Sequence, residues 1–165
     1  MGHGQLHPRL RGHPGVTNLE RFDVRQVSLD TVGGDPVDLV VADLSFISVT
    51  RAVPVLVGDV AMPDAPVVVL VKPQFEAGRV EASRGKGVIR DPVVHRRTLG
   101  EVATALGDAG AVIMGAMPSP ITGHSGNVEF LLHARRAGGG ARGVADVDAL
   151  LDTVVAEAHP PVTEG

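Results

Sequence analysis

Lysine is scarce in this chain, two residues against thirteen arginines among 165. Lys72 closes the apolar run Pro66-Val-Val-Val-Leu-Val71 and precedes Pro73-Gln-Phe-Glu76. A guanidinium stays protonated, whereas a lysine can be tuned to release its proton, so a lone lysine at a strand end is a candidate acid–base group. A surface lysine closing a strand fits the same position. Asp43 ends a second apolar run, Leu39-Val-Val-Ala42, and Glu129 lies in a third, Val128-Glu-Phe-Leu-Leu-His133. If these runs lie side by side with the third antiparallel, the three charges meet at one edge. Two carboxylates can orient a lysine and balance its charge for work on a hydroxyl proton. Carboxylates alone favour the ammonium, so burial or a nearby cation must act in the other direction. The same spacing also suits an ion-pair network that closes a sheet edge.

The elements that must position these groups follow from turn and periodicity signals. Gly33-Gly-Asp-Pro36 is a turn, and the short apolar runs after it read as strands buried on both faces of a parallel sheet. Residues 49–60 between the first two runs form a helix, with Pro54 tolerated in its first turn. Asp91-Pro92 opens a helix that runs to about Ala109, with Gly110 at its end. Residues 111–117 and 128–133 are two further strands. Strands alternating with helices give an open α/β sheet, whose ligands collect beyond the carboxyl ends of its parallel strands. Residues 137–143 are a Gly-rich linker. Within 144–159, Val147, Leu150, Leu151, Val154, Val155 and Ala158 follow helical spacing, so an amphipathic helix packs back on the same domain.

Composition narrows the class. A chain of this length buries about 70% of its extended surface, enough for a core without staples. Zero cysteines exclude disulfides, thiolate metal sites and a thiol nucleophile, and suit the cytoplasm. No metal-ligand cluster is expected. The first residues hold no apolar signal core, and no window has the ~18 apolar residues of a membrane span. A net charge of −4 opposes whole-surface binding to nucleic acid. A local basic face survives in residues 3–25, where Arg9, Arg11, Arg21 and Arg25 with three histidines face Glu20 and Asp23. No G-x-G-x-x-G follows a strand, which disfavours a dinucleotide-dependent oxidoreductase.

Four blocks in order carry a resemblance. Val40-Val-Ala-Asp43-Leu-Ser-Phe-Ile-Ser48, Leu70-Val-Lys72-Pro-Gln-Phe-Glu76, Gly85-Lys-Gly-Val-Ile-Arg-Asp-Pro92 and Ser119-Pro-Ile-Thr-Gly-His-Ser-Gly-Asn127-Val-Glu129-Phe-Leu resemble the TlyA family. These are FtsJ-like ribosomal-RNA (cytidine) 2'-O-ribose methyltransferases, also called hemolysin A. The match spans residues 1–136. It implies a Rossmann-like class I fold and S-adenosyl-L-methionine as cofactor. It further implies that Asp43, Lys72 and Glu129 are three of a Lys-Asp-Lys-Glu tetrad. Lys72 would assist deprotonation of the ribose 2'-hydroxyl, Asp43 and Glu129 would set its position, and the oxyanion would attack the sulfonium methyl. Cofactor-binding positions by the same resemblance are Gly4, Gln5 and Leu6, then Asp23 near the end of a third strand, and Asp43 with Leu44. Lys86 and Arg90 match a basic loop suited to RNA phosphate.

The resemblance also implies what the chain lacks: an RNA-binding domain, the tetrad's first lysine, the first strand with its Gly-rich turn, and most of the second strand. Met1 stands where the family has valine, so an internal start of a longer reading frame is expected. The isolated chain should bind cofactor weakly, and exposed strand edges should cost it stability. A non-catalytic module binding RNA or a partner chain is the rival reading. Partners are thus ribosomal RNA or a ribosomal subunit, with no membrane.

Overall fold

β-branched valine and small alanine suit a pleated, buried surface, and these residues build the core strands. The computed structural model describes residues 2–140 and 142–160. Met1, with the expected internal start, and Ala141 of the expected linker lie outside them. Four strands, β1 (Val40–Ala42), β2 (Pro66–Val71), β3 (Ala111–Pro118) and β4 (Phe130–Arg136), form one sheet in the order β1-β2-β4-β3. β1 and β2 run parallel, and β4 lies antiparallel between β2 and β3. The helices are α1 (Pro8–Arg11), α2 (Pro73–Glu76), α3 (Arg79–Arg84), α4 (Pro92–Asp108) and α5 (Val147–Ala158).

Period-two alternation decides which side chains enter the core. Val67, Val69 and Val71 of β2 pair with Ala134, Leu132 and Phe130 of β4, and all six are at most 1% exposed. They meet Leu99, Val102 and Leu106 of α4, while Leu151, Val154 and Val155 seat α5 in the same cluster against α4 and β3. Asp91 caps α4 by accepting from the Val93 N–H at 2.9 Å, and Pro92 follows where its missing N–H costs nothing. After α4 the chain turns at Gly110, whose φ of 83° lies in the left-handed region.

The structure departs from the sequence expectation in four places. β1 and β2 are covered on one face. Val41 is 69% exposed, and Val68, Leu70 and Leu131 on the far face are half-buried or less shielded than their neighbours. An apolar run shows that a strand can be buried twice, not that a second layer is present to bury it. The expected helix over 49–60 is instead a short tight turn of helix, Val49–Arg51, followed by a wide turn at Pro54–Asp59. Pro54 has no N–H to continue the ladder, so the hydrogen bonds reset around it. The strand expected at 128–133 begins at Phe130 and runs to Arg136, leaving Glu129 just outside it. Finally, no strand precedes Val40 among the described residues, although a third strand was expected near Asp23. A strand needs a partner for its N–H and C=O groups, and none of the four described strands pairs with that segment. Correspondingly, no described residue before Val40 is buried.

Candidate active site

Sheet geometry assembles the three charged groups. Asp43 and Lys72 each stand one residue past the carboxyl end of adjacent parallel strands, β1 and β2. Lys72 Nζ donates to Asp43 Oδ1 at 2.6 Å and to Ser45 Oγ at 3.4 Å. The lysine side chain is 12% exposed and the carboxylate 64%, so the aliphatic stem is packed while the ion pair faces the surface. Val71 pairs with Phe130 in the antiparallel ladder, which sets Glu129 abreast of Lys72. Glu129 is 7% exposed and accepts from Gln74 Nε2 at 3.1 Å. Among the described residues no hydrogen bond or ion pair joins Glu129 directly to Lys72. Gln74, two positions past Lys72, is the link. Its Oε1 is buried with no hydrogen-bond partner among the described residues, an acceptor open to an incoming donor. Gly123 walls the carboxylate: a Cβ there would fall 2.2 Å from Glu129 Oε1.

The loop after Asp43 is braced from below. Glu76 accepts from Ser48 Oγ at 2.5 Å and from the Val49 N–H at 2.9 Å, tying residues 43–49 to α2. Above that brace Phe46 adopts φ 66° and is 90% exposed, its ring centroid 5.2 Å from that of Phe75. A bulky residue with positive φ is uncommon and strained. The chain thus presents an aromatic face beside the Lys72–Asp43 pair. Gln74, Glu76 and Phe46 had no assigned role in the sequence reading. Their signal was position within the sequence blocks around Asp43 and Lys72, which does not reveal what a side chain touches.

Burial raises the Glu76 carboxyl above its ordinary value, against the lowering pull of its bonds to Ser48 and Val49. A carboxyl raised on folding contributes full stability below its unfolded value of 4.5 and loses it as pH climbs through the folded value. Glu76→Gln keeps an acceptor for Val49 and a partner for Ser48 without the charge. Urea midpoints of the variant relative to the parent should therefore improve from pH 4 to pH 7; a constant or falling difference contradicts this.

The remaining expected positions are dispersed. Gly4 and Gln5 are exposed and Leu6 is half-buried; the Gly4 N–H is spent on Glu20 at 3.0 Å. Asp23 is bound by the Arg25 guanidinium at 2.6 Å, which with the Arg25 N–H holds its carboxyl at about 2. Leu44 packs against the core beside Asp43. Two surface cavities of about 520 and 360 Å³ lie elsewhere, between α4, β3 and α5 and beside residues 81–94. Of the positions expected to hold S-adenosylmethionine, the Gly4 N–H and the Asp23 and Asp43 carboxylates are engaged within the chain, and none of the expected positions lines either of these two cavities. Lys86, at φ 52°, and Arg90 are exposed on the loop between α3 and α4. Among the described residues no cluster of His, Cys, Asp or Glu could hold a metal, and no helix is long and apolar enough to cross a membrane.

A lysine–carboxylate pair at the carboxyl ends of parallel strands, with a third charge one residue before an adjacent antiparallel strand, lies where open α/β domains bind their ligands. The chain belongs to the FtsJ-like methyltransferase family, whose profile matches residues 1–136. It is 46% identical over 135 residues to the Mycobacterium tuberculosis protein named 16S/23S rRNA (cytidine-2'-O)-methyltransferase TlyA, covering 82% of this chain and 49% of that one. It is 38% identical over 165 residues to the presumed rRNA methyltransferase YqxC of Bacillus subtilis, covering 99% and 58%. The solved structure of a presumed hemolysin from Streptococcus thermophilus superposes with a TM-score of 0.85 at 34% identity, over 96% of this chain and 55% of that one. The chain spans about half the length of the curated relatives it matches.

Proposed function

We propose that this chain carries the catalytic edge of a TlyA-type rRNA (cytidine) 2'-O-ribose methyltransferase that uses S-adenosyl-L-methionine on a ribosomal subunit in the cytoplasm. Residues 1–136 form the partial methyltransferase domain, 137–143 the linker and 144–159 the helix packed on it. The observation that carries the reading is the Lys72–Asp43 contact of 2.6 Å, with Glu129 set beside it by the Val71–Phe130 pairing. Lys72 receives the ribose hydroxyl proton, Asp43 holds the amine in place, and Glu129, steadied by Gln74, closes the edge. Phe46 offers a face on which a base can stack, and Lys86 and Arg90 offer charge to phosphate.

The exposed cofactor positions and the bare sheet face favour, for the chain alone, the rival reading of a non-catalytic RNA- or protein-binding module. Titration calorimetry should give S-adenosylmethionine a Kd weaker than about 1 mM for the 165-residue chain. Placed behind the N-terminal half of the M. tuberculosis relative, the chain should bind in the micromolar range and label rRNA in intact subunits. A fusion that binds both cofactor and RNA yet transfers no methyl group sinks the enzymatic reading; salt-sensitive RNA binding without transfer supports the module.

A further inference from the structure

The basic loop between α3 and α4 has two anchors, and one of them reaches the C-terminal helix. Asn127, two residues before Glu129, accepts from the Ile89 N–H at 3.1 Å and donates to the Gly87 carbonyl at 3.0 Å. The Ile89 carbonyl meets His95 Nε2 at 3.1 Å, and His95 Nδ1 lies 2.9 Å from His159 Nε2 at the end of α5. Because a carbonyl only accepts, Nε2 of His95 carries the hydrogen. Its Nδ1 is then the acceptor, and His159 donates. His95 is fully buried, and burial holds its pKa below the ordinary value, which keeps this neutral form. Its ring stands edge-on to Phe130, 5.3 Å between centroids, so its position is shared with the first residue of β4.

A fully buried imidazole with both nitrogens engaged is more than filler. Its two bonds join α5 to Ile89, the residue between the exposed cations Lys86 and Arg90. We propose that His95 is a positioning residue for RNA: with His159 it tethers the 85–91 loop so that Lys86 and Arg90 face the phosphate backbone together. This rests on the RNA-binding reading above. The loop's amide bonds are local, Gly87 N–H to Ala82 and Val88 N–H to Gly85, so they shape the turn without fixing where it points. The tether and Asn127 supply that direction.

Three variants of the full chain separate the tether from general packing. His95→Gln keeps a donor at the place of Nε2; His95→Phe keeps the ring against Phe130 and loses both bonds; His159→Ala cuts the link to α5 alone, at the residue that ends that helix. Binding to a single-stranded RNA of about 20 nucleotides is followed by anisotropy from about 50 to 200 mM salt. His95→Phe should raise Kd about tenfold at low salt and lower the salt slope by about one to two, the count of lost phosphate contacts. His95→Gln should stay within about threefold, and His159→Ala should lie between. Amide exchange at residues 87–89 should accelerate in the same order. A fall in affinity with an unchanged slope, or a slope equal to the parent's in both His95→Phe and His159→Ala, overturns the proposal while leaving RNA binding intact. A parent chain without salt-dependent affinity overturns the RNA reading and this tether with it.

Discussion

Lys72→Ala in the fused enzyme lowers methyl transfer by about 10²–10⁴-fold while RNA affinity stays within about twofold. The magnitude is that of a positioned proton-transfer group. Lys72→Arg should fail to a similar degree. A guanidinium can keep the Asp43 contact, but it does not give up its proton. The ion-pair alternative predicts the opposite set of results. If the Lys72–Asp43 pair only closes the sheet edge, arginine restores activity and alanine costs stability. The ion pair's own share of that cost is about 0–1 kcal/mol, because Asp43 is 64% exposed and the pair is screened by water, and the packed lysine stem adds to it in the alanine variant but not in the arginine one. Single-turnover transfer rates and thermal melts on the same two variants decide between them. Full activity in Lys72→Ala removes the lysine from the mechanism.

Phe130→Ala should destabilise the chain by about 3–5 kcal/mol, through lost transfer energy and the cavity left behind. Phe130 is the largest fully buried side chain among the described residues, touching the His95 ring and paired with Val71 across the central strands. Against a typical total of about 5–15 kcal/mol, this is a large share. The chain has little in reserve, since residues 2–39 contribute no buried side chain and one sheet face carries Val41 and Leu131 without a covering layer. Urea unfolding should show a midpoint shift with an unchanged slope, and the melting temperature should fall by about 10 °C. Because Glu129 immediately precedes Phe130, the same substitution should loosen the Gln74–Glu129 contact. A loss under about 1 kcal/mol would show that the neighbourhood collapses into the space.

The parts of the fold that were legible are those specified by local signals. The apolar run 66–71 is β2 residue for residue, and Asp91-Pro92 with Gly110 bound α4 within a residue at its end. The apolar spacing of Val147, Leu151, Val154 and Val155 is the face that α5 lays on α4 and β3. What failed were readings that depend on a neighbour. The wide turn at Pro54 depends on where the freed carbonyls find partners, the start of β4 on its pairing with Val71, and a strand near Asp23 on a pairing partner that none of the four described strands supplies. Asp43, Lys72 and Glu129 were visible as charges at the ends of apolar runs. Gln74 as the partner of Glu129 was not, because residues 55 positions apart meet only through the β2–β4 ladder.

By itself, the sequence determined residue chemistry and local conformation: a scarce lysine after a strand, carboxylates at the ends of two others, and caps and breakers that mark α4. Four ordered blocks were enough to place it among FtsJ-like methyltransferases. Tertiary structure decided the rest, because hydrogen-bond pairing and burial are set by what lies across space. The antiparallel insertion of β4 between β2 and β3 put Glu129 beside Lys72, and the direction of Gln74 settled which group it holds. The same packing linked His95 to both Ile89 and His159. A single helical layer left the opposite face of the sheet open, since apolar strands can bury two faces only when two layers are present to cover them.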